Sequence, residues 1–451
     1  MIKLIYLFLI SISFTSSLEI YGTGNRYDFI SAMGLGLGGS YHFSDDLNHI
    51  NPTSISTYWR SDLTRASLST LFFSNMSERS NKGINPSMFL FSFPVSKNKN
   101  LTFGLTPYTR ADIKIEESSG NIIGQSASEL LPALNSMGSY YVYGGLSNMF
   151  SAFSIKLNNQ NSMGIKINYL FGSQLHLNKM TLFELNPTFD DALYSQEEYD
   201  STYQIVFNNF SGYSIQWDWA LELKKHEFAL SMTSMGPIDV KHKVYYDLYE
   251  ISDPIERFIY SNYDFLNVES GDDLLQYSPH HSIEVKDEID LKAFIGSMLS
   301  RINDFSLGYH HRLGNSGFLI EHHRKNLFNS NTMRQDGISI LNNIHPVTES
   351  YHVGIYQKYS NSKINSWESI SIRVGGYYKN IASNGALNEE QFSDIALTAG
   401  IGVKFNNNKS LVDLGIKFGK VNHFLFDDEY YCKGILTIDI GEKWFARLRR
   451  K

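Results

Sequence analysis

Apolar and polar residues alternate along this chain in short segments with a period of two. Ile370, Ile372, Val374, Gly376 and Tyr378 form one such series; Ile395, Leu397, Ala399, Ile401, Val403 and Phe405 form another. Val412, Leu414, Ile416 and Phe418 repeat the pattern, as do Ile289, Leu291, Ala293 and Ile295. Successive side chains of a strand point to opposite faces, so each series predicts a β-strand with one apolar and one polar side. The last segment, Lys433 to Phe445, sets Leu436, Ile438 and Ile440 against Thr437, Asp439 and Gly441 and closes on Trp444-Phe445.

Asn- and Lys-rich breaks between the series predict six tight turns, at 97–100, 158–161, 224–225, 301–304, 361–363 and 406–409. Long polar connections are expected near 117–138, 180–202, 244–281, 326–346 and 381–392. The stretches Phe305 to Leu313, Phe318 to Arg324 and Tyr351 to Tyr359 read as three strands where two are wanted. Gly314-Asn315-Ser316-Gly317 is then either a bulge in one long strand or a hairpin that raises the count by two.

The destination of the apolar faces follows from the start of the chain. Lys3, an apolar run from Leu4 to Phe14, and the small residues Thr15-Ser16-Ser17 predict a signal peptide over 1–17. No later run approaches the roughly 18 apolar residues of a spanning helix. Strands that are apolar on one side cross a bilayer only as a closed barrel, where every backbone donor finds a partner. Six short turns, with both termini at the periplasmic side, predict an all-β, closed antiparallel transmembrane barrel of about 14 strands, with 16 as the alternative. The expected organisation is 1–17 signal peptide, 18–60 leading segment and 61–451 barrel.

Composition agrees. Aromatic residues make up 14% of the 451, with 28 Tyr and 30 Phe, which suits the aromatic girdles of such barrels. The net charge of −7 is spread out and offers no basic patch for nucleic acid. Cys432 is alone, so no internal disulfide framework forms, and no cysteine near the signal accepts a lipid anchor. The expected location is the outer membrane of a Gram-negative-type bacterium. Its lipid and lipopolysaccharide, and the barrel-assembly machinery, are the expected partners. No cofactor is expected.

Ala32-Met33-Gly34-Leu35-Gly36-Leu37-Gly38-Gly39-Ser40-Tyr41, then Asp45-Asp46-Leu47 and Asn51-Pro52-Thr53-Ser54-Ile55, resembles the start of the FadL-like outer-membrane family. That family contains long-chain fatty acid and aromatic hydrocarbon channels and the related PorV component of type IX secretion. The match lies at Ala32, Gly38, Gly39, Asp45, Asp46, Asn51 and Pro52; Thr53 departs from the family's alanine. Gly104 to Arg110, Gly144 to Ser147 and Gly441 to Phe445 are also similar to the family. The resemblance implies a hatch inside the barrel, with Gly38, Gly39, Asp45, Asp46, Asn51 and Pro52 as its key residues. It also implies a hydrophobic small molecule, such as a long-chain fatty acid, as cargo. The alternative within the resemblance is a PorV-like barrel that binds secreted cargo or a type IX machine. In physical terms the glycines permit close backbone approach and positive φ, and Asn51-Pro52 fixes a turn.

Three histidine pairs, His280-His281, His310-His311 and His322-His323, invite a metal reading. Neighbours on a strand face opposite ways, so no pair chelates alone, and only a cross-strand pair such as His310 with His322 would serve. They are read as polar lumen or interface residues, and no metal site is assigned. Asp190-Asp191 and Asp272-Asp273 read as solvated loop charge. No Gly-x-Ser-x-Gly elbow, His-Glu-x-x-His or Cys-His pairing is present, so no enzyme and no catalytic residue is expected. Aromatic loop residues Phe183, Phe258, Tyr260 and Phe265 are candidates for an apolar outer vestibule.

Overall fold

The computed structural model describes residues 25–26, 31–45, 50–75, 82–123, 133–186, 195–247, 302–326, 346–360, 368–383, 391–405, 409–422 and 429–443. A two-residue strand, β1 (Asn25–Arg26), precedes the wall. The wall runs β2 (Thr64–Asn75), β3 (Lys82–Ser96), β4 (Lys99–Pro107), β5 (Thr109–Ile123), β6 (Ala133–Lys156), β7 (Asn161–Asn186), β8 (Ser195–Leu223) and β9 (His226–Asp247). It continues through β10 (Ile302–Leu313), β11 (Ser316–Asn326), β12 (Pro346–Ser360), β13 (Ser369–Ser383), β14 (Gln391–Phe405), β15 (Ser410–Asn422) and β16 (Glu429–Glu442).

Antiparallel neighbours follow one another around the sheet, and β16 closes it on β2 from Glu442 beside Thr64 to Tyr431 beside Asn75. Both β4 and β5 pair with β6, one above the other, and so share one place in the wall. The result is the closed fourteen-strand antiparallel barrel that the alternation predicts.

Faces are inverted relative to a soluble sheet. Leu397 is 73% exposed and Ile355 59% on the outside, whereas Thr398, Arg373, Glu321, Asp218 and Asp439 are buried on the inside. An apolar exterior matches hydrocarbon, and the buried polar groups bond to one another and to the leading segment.

Three expectations change. The segment 301–304 is not a turn: β10 begins at Ile302, and Asn303 and Asp304 face inward. The turn is Gly314-Asn315, where Gly314 adopts φ +64 and Leu313 pairs with Ser316. It is a true hairpin, neither a bulge nor a sign of 16 strands; the strand expected at Ile289 to Ile295 lies outside the described residues. The expected connections at 117–138 and 180–202 are mostly strand: β5 to β9 run 15, 24, 26, 29 and 22 residues. A transmembrane strand needs only about 9–11 residues, so these strands continue well past a membrane's thickness.

Candidate functional site

Two features of the described structure stand out, a leading segment bonded to the inner wall and a split in the wall itself. Ser31 caps the short helix Ala32–Gly36 by accepting from the Gly34 amide at 3.2 Å. The helix is small enough to lie backbone to backbone on β14 and β15: a Cβ on Gly36 would stand 2.8 Å from the Gly400 Cα. Ala32 N donates to Thr437 Oγ1 at 3.0 Å. Gly38 then turns the chain with φ +76, and a Cβ there would meet the Val353 carbonyl at 2.1 Å. Its N–H donates to Thr398 Oγ1 at 2.9 Å, and its carbonyl accepts from His352 Nδ1 at 2.7 Å.

Three carboxylates hold the rest. Glu321 accepts from Ser40 Oγ at 2.6 Å, the Tyr41 amide at 2.7 Å, the His42 amide at 3.1 Å and His323 Nε2 at 2.8 Å. Asp218 accepts from the Ile55 amide at 2.6 Å. Glu227 accepts from Arg60 at 2.5 Å and also binds Arg312. In the opposite sense the segment's own Asp45 accepts from Ser371 and stands 3.1 Å from Arg373 Nε, an ion pair without hydrogen-bond alignment. Arg373 also donates to both Asp413 oxygens, at 2.6 and 2.8 Å. Burial works to raise the Asp45 pKa, but Arg373, then Lys358 and Ser371, outweigh it and hold the carboxyl below its usual range.

The split lies across the third wall position. Among the described residues β3 has a ladder with β4 only from Phe89 onward, and between Lys82 and Met88 its ladder is with β2, with a register shift at Ser87. Among the described residues β5 has β6 on one edge and, on the other, the two residues of β1, opposite Thr109 and Arg110. Pro86, which carries no amide donor, sits in the β3 stretch that has no second strand ladder among the described residues. Tyr108 separates β4 from β5; its N–H donates to the Leu146 carbonyl at 2.8 Å, and its ring packs on Leu146, Leu170, Phe210 and Met235. Gly145 lets the Thr109 carbonyl come within 2.3 Å of where a Cβ would be, at φ +150. Inside this region lie Met88, Leu90 and Phe150 with Ile50, Ile55 and Tyr58 of the leading segment.

Of the residues singled out in the sequence, Gly38, Gly39, Asp45, Asn51 and Pro52 all lie in this segment; Asp46 lies outside the described residues. Gly39 has φ +83. Asn51 Nδ2 donates to the Tyr41 carbonyl at 3.1 Å, and Tyr58 Oη donates to the Pro52 carbonyl at 2.8 Å. Thr53, the departure from the family pattern, donates through Oγ1 to the Tyr41 carbonyl at 2.5 Å, a bond alanine could not make. Phe183 is in β7, a strand and not a loop. Phe258, Tyr260 and Phe265 lie outside the described residues, as do His280-His281 and both acidic pairs. His310 and His322 do not face each other: their cross-strand partners are Leu319 and Leu307. Among the described residues no three His, Cys, Asp or Glu side chains converge on one point.

The sequence reading missed Glu321, Arg373, Asp218, Thr398 and Thr437. Their signal is a polar or charged residue between apolar ones within a lipid-facing strand, as in Trp217-Asp218-Trp219 and Ile372-Arg373-Val374. Such a residue must face the lumen and find a partner there.

Against known proteins, the model of the BamG family matches residues 13–451. The chain belongs to the BamG family. No curated protein matches it. Among solved structures, this BamG-family barrel is similar to a FadL homologue of Pseudomonas aeruginosa, with TM-score 0.51 at 9% identity, covering 92% of this chain and 98% of that one. The toluene transporters TbuX of Ralstonia pickettii and TodX of Pseudomonas putida follow at TM-scores 0.43 and 0.40. Their identities are 9% and 8%; TbuX covers 92% of this chain and 99% of its own, TodX 93% and 99%. At such identities the likeness concerns the fold: the BamG-family chain is an outer-membrane-type barrel of FadL-like architecture.

Proposed function

We propose that this protein passes hydrophobic small molecules across the outer membrane, long-chain fatty acids among them, with residues 31–63 as a hatch and the split beside Tyr108 as a side opening. The observation that carries the reading is that, among the described residues, no strand ladder joins β3 to β5. Most outer-membrane barrels pair every strand edge, since unpaired backbone groups facing lipid cost several kcal/mol each. An interruption at that cost suits a solute that leaves through the wall. Met88, Leu90 and Phe150 behind it offer an apolar lining, and apolar solutes favour such a surface over water. The hatch keeps the lumen closed to water-soluble traffic through its many bonds to the wall. The similar fold of the FadL homologue lends support by analogy.

The test is uptake of labelled toluene and of a labelled long-chain fatty acid by cells that depend on this protein, with Met88→Gln as the lining variant. Uptake should require the protein and fall in the variant while the barrel stays heat-modifiable on gels. No dependence on the protein for either label would end this reading. A second reading rests on the family match, whose name points to the barrel-assembly machinery: the chain would serve as a companion of an outer-membrane machine, and a PorV-like role beside a secretion machine is the related form. Stoichiometric co-purification of such a machine, without uptake, is its expected result.

A further inference from the structure

Outside the barrel, at the end where the short turns lie, His226 and His311 are direct cross-strand partners on β9 and β10. His226 follows the Lys224-Lys225 turn at once, and His311 precedes the Gly314-Asn315 turn. Their chain neighbours Glu227 and His310 meet each other on the lumen side, so the outer pair is independent of the hatch contacts. Directly opposed positions bring Cβ atoms within about 5 Å, which leaves two imidazoles little choice but to meet.

They meet through the same atom. His226 Nδ1 and His311 Nδ1 stand 3.3 Å apart, with ring centroids at 4.7 Å, and Tyr309 Oη lies 2.8 Å from His226 Nδ1. Two nitrogens facing each other at that distance cannot both carry a proton, so at least one lone pair points into the shared space. A divalent zinc-like ion binds imidazole nitrogen at about 2.0–2.1 Å, and two such bonds at a tetrahedral angle set the nitrogens about 3.3 Å apart. Phe318 packs on His311 at 5.5 Å, and Phe228 packs on Tyr309 at 5.2 Å, which limits rotation of both rings away from the common point.

We propose that His226 and His311, with Tyr309 as a third donor, bind a borderline divalent transition metal such as Zn²⁺, Ni²⁺ or Cu²⁺ on the outer rim of the barrel. Imidazole suits these ions and not Ca²⁺ or Mg²⁺, which take oxygen ligands, and water fills the remaining positions. The ion bridges two wall strands whose ends are far apart along the chain, and an ion that binds only the folded barrel stabilises it by mass action.

The experiment uses the tag-free full chain in detergent micelles, with ZnCl₂ followed by titration calorimetry and Cu²⁺ by electron paramagnetic resonance. One site with two equatorial nitrogens is expected, weakening on acidification as protons compete for the rings. His226→Ala and His311→Ala should each lose that site and the rise in thermal midpoint that the metal gives. His322→Ala, an outward histidine whose ring packs on Tyr351, should keep both. Tyr309→Phe should weaken binding yet retain the two-nitrogen spectrum. Heat-modifiable mobility checks that each variant is folded. Wild-type protein without a site, or a site that persists in both histidine variants, overturns the proposal.

Discussion

The β10–β16 side of the barrel and the β5–β9 side share one alternation of residues but behave differently. From β11 to β16 the strands are 11 to 15 residues long and pair in unbroken register. From β5 to β9 they lengthen, and register shifts interrupt them at Ser119/Ile123, Leu182/Phe183 and Gly212/Ser214. Gly144, Gly145 and Gly172 there take φ between +117 and +156. Anchors for residues 31–45 lie mainly on the regular side, at Thr437, Thr398, Arg373, His352 and Glu321, while the split opens at the edge of the irregular side. A fixed platform needs strands that hold side chains to a few tenths of an ångström. An opening needs strands that can end or bend without a partner.

The largest test of this contrast is Arg373→Met. Removing the guanidinium takes from Asp45 and Asp413 the buried cation that they share, and breaking a buried ion pair typically costs about 3–5 kcal/mol. Urea unfolding of the barrel in lipid should move by that amount; a change below about 1 kcal/mol would mean that the pair is hydrated and that the regular side is not the platform.

Glu321→Ala comes next. It removes the carboxylate that accepts from the Tyr41 and His42 amides, while the Ser40 hydroxyl can still donate to the Phe43 carbonyl at 3.0 Å; each buried donor left unmade costs about 1–3 kcal/mol. Part of that strain is relieved if the segment lifts off, so global stability should fall by about 2 kcal/mol while single-channel conductance in planar bilayers rises. Unchanged conductance would show that residues 40–42 do not obstruct the lumen.

On the irregular side, Tyr108→Ala removes a half-buried ring from Leu146, Leu170, Phe210 and Met235. Truncating a fully buried aromatic costs about 3–5 kcal/mol, so a partly exposed one should cost about 1–2 kcal/mol. Hydrogen exchange should quicken in β5 and in β6 near Leu146 and leave β12–β14 unchanged. Loss of protection spread evenly round the barrel would erase the distinction between the two sides.

The regular side was the more legible in the sequence. In β13 to β16 lipid lies outside and polar partners inside, so the period of two survives intact. At 301–304 the polar run Arg-Ile-Asn-Asp looks like a turn because soluble sheets place such residues in turns; in this barrel Asn303 and Asp304 are buried in the wall, and the Gly-Asn pair at 314–315 is the more specific turn signal. The long strands β5–β9 outrun the roughly 9–11 residues that a bilayer needs, so beyond the membrane the apolar alternation is no longer demanded and the sequence there resembles loops. The leading segment was visible through Gly38, Gly39, Asp45, Asn51 and Pro52, but its acceptors were not: Glu321 and Asp218 are hundreds of positions away, and only the closed wall brings them to it.

The smallest expected effect concerns pH. Because Arg373 and its neighbours depress the Asp45 pKa in the folded protein, this group adds stability that is complete above the unfolded value of about 3.9 and is lost as pH falls through the lower, folded value. Amide protection at residues 38–45, followed by hydrogen exchange and corrected for the intrinsic rate, should therefore stay level from pH 8 to pH 5 and decline only below about pH 4. Asp45→Asn should flatten that acid limb while lowering protection modestly at neutral pH, since Arg373 retains Asp413. If protection instead drops between pH 8 and pH 5, a histidine of the lumen, and not the Asp45–Arg373 pair, sets how firmly the segment is held on the regular wall.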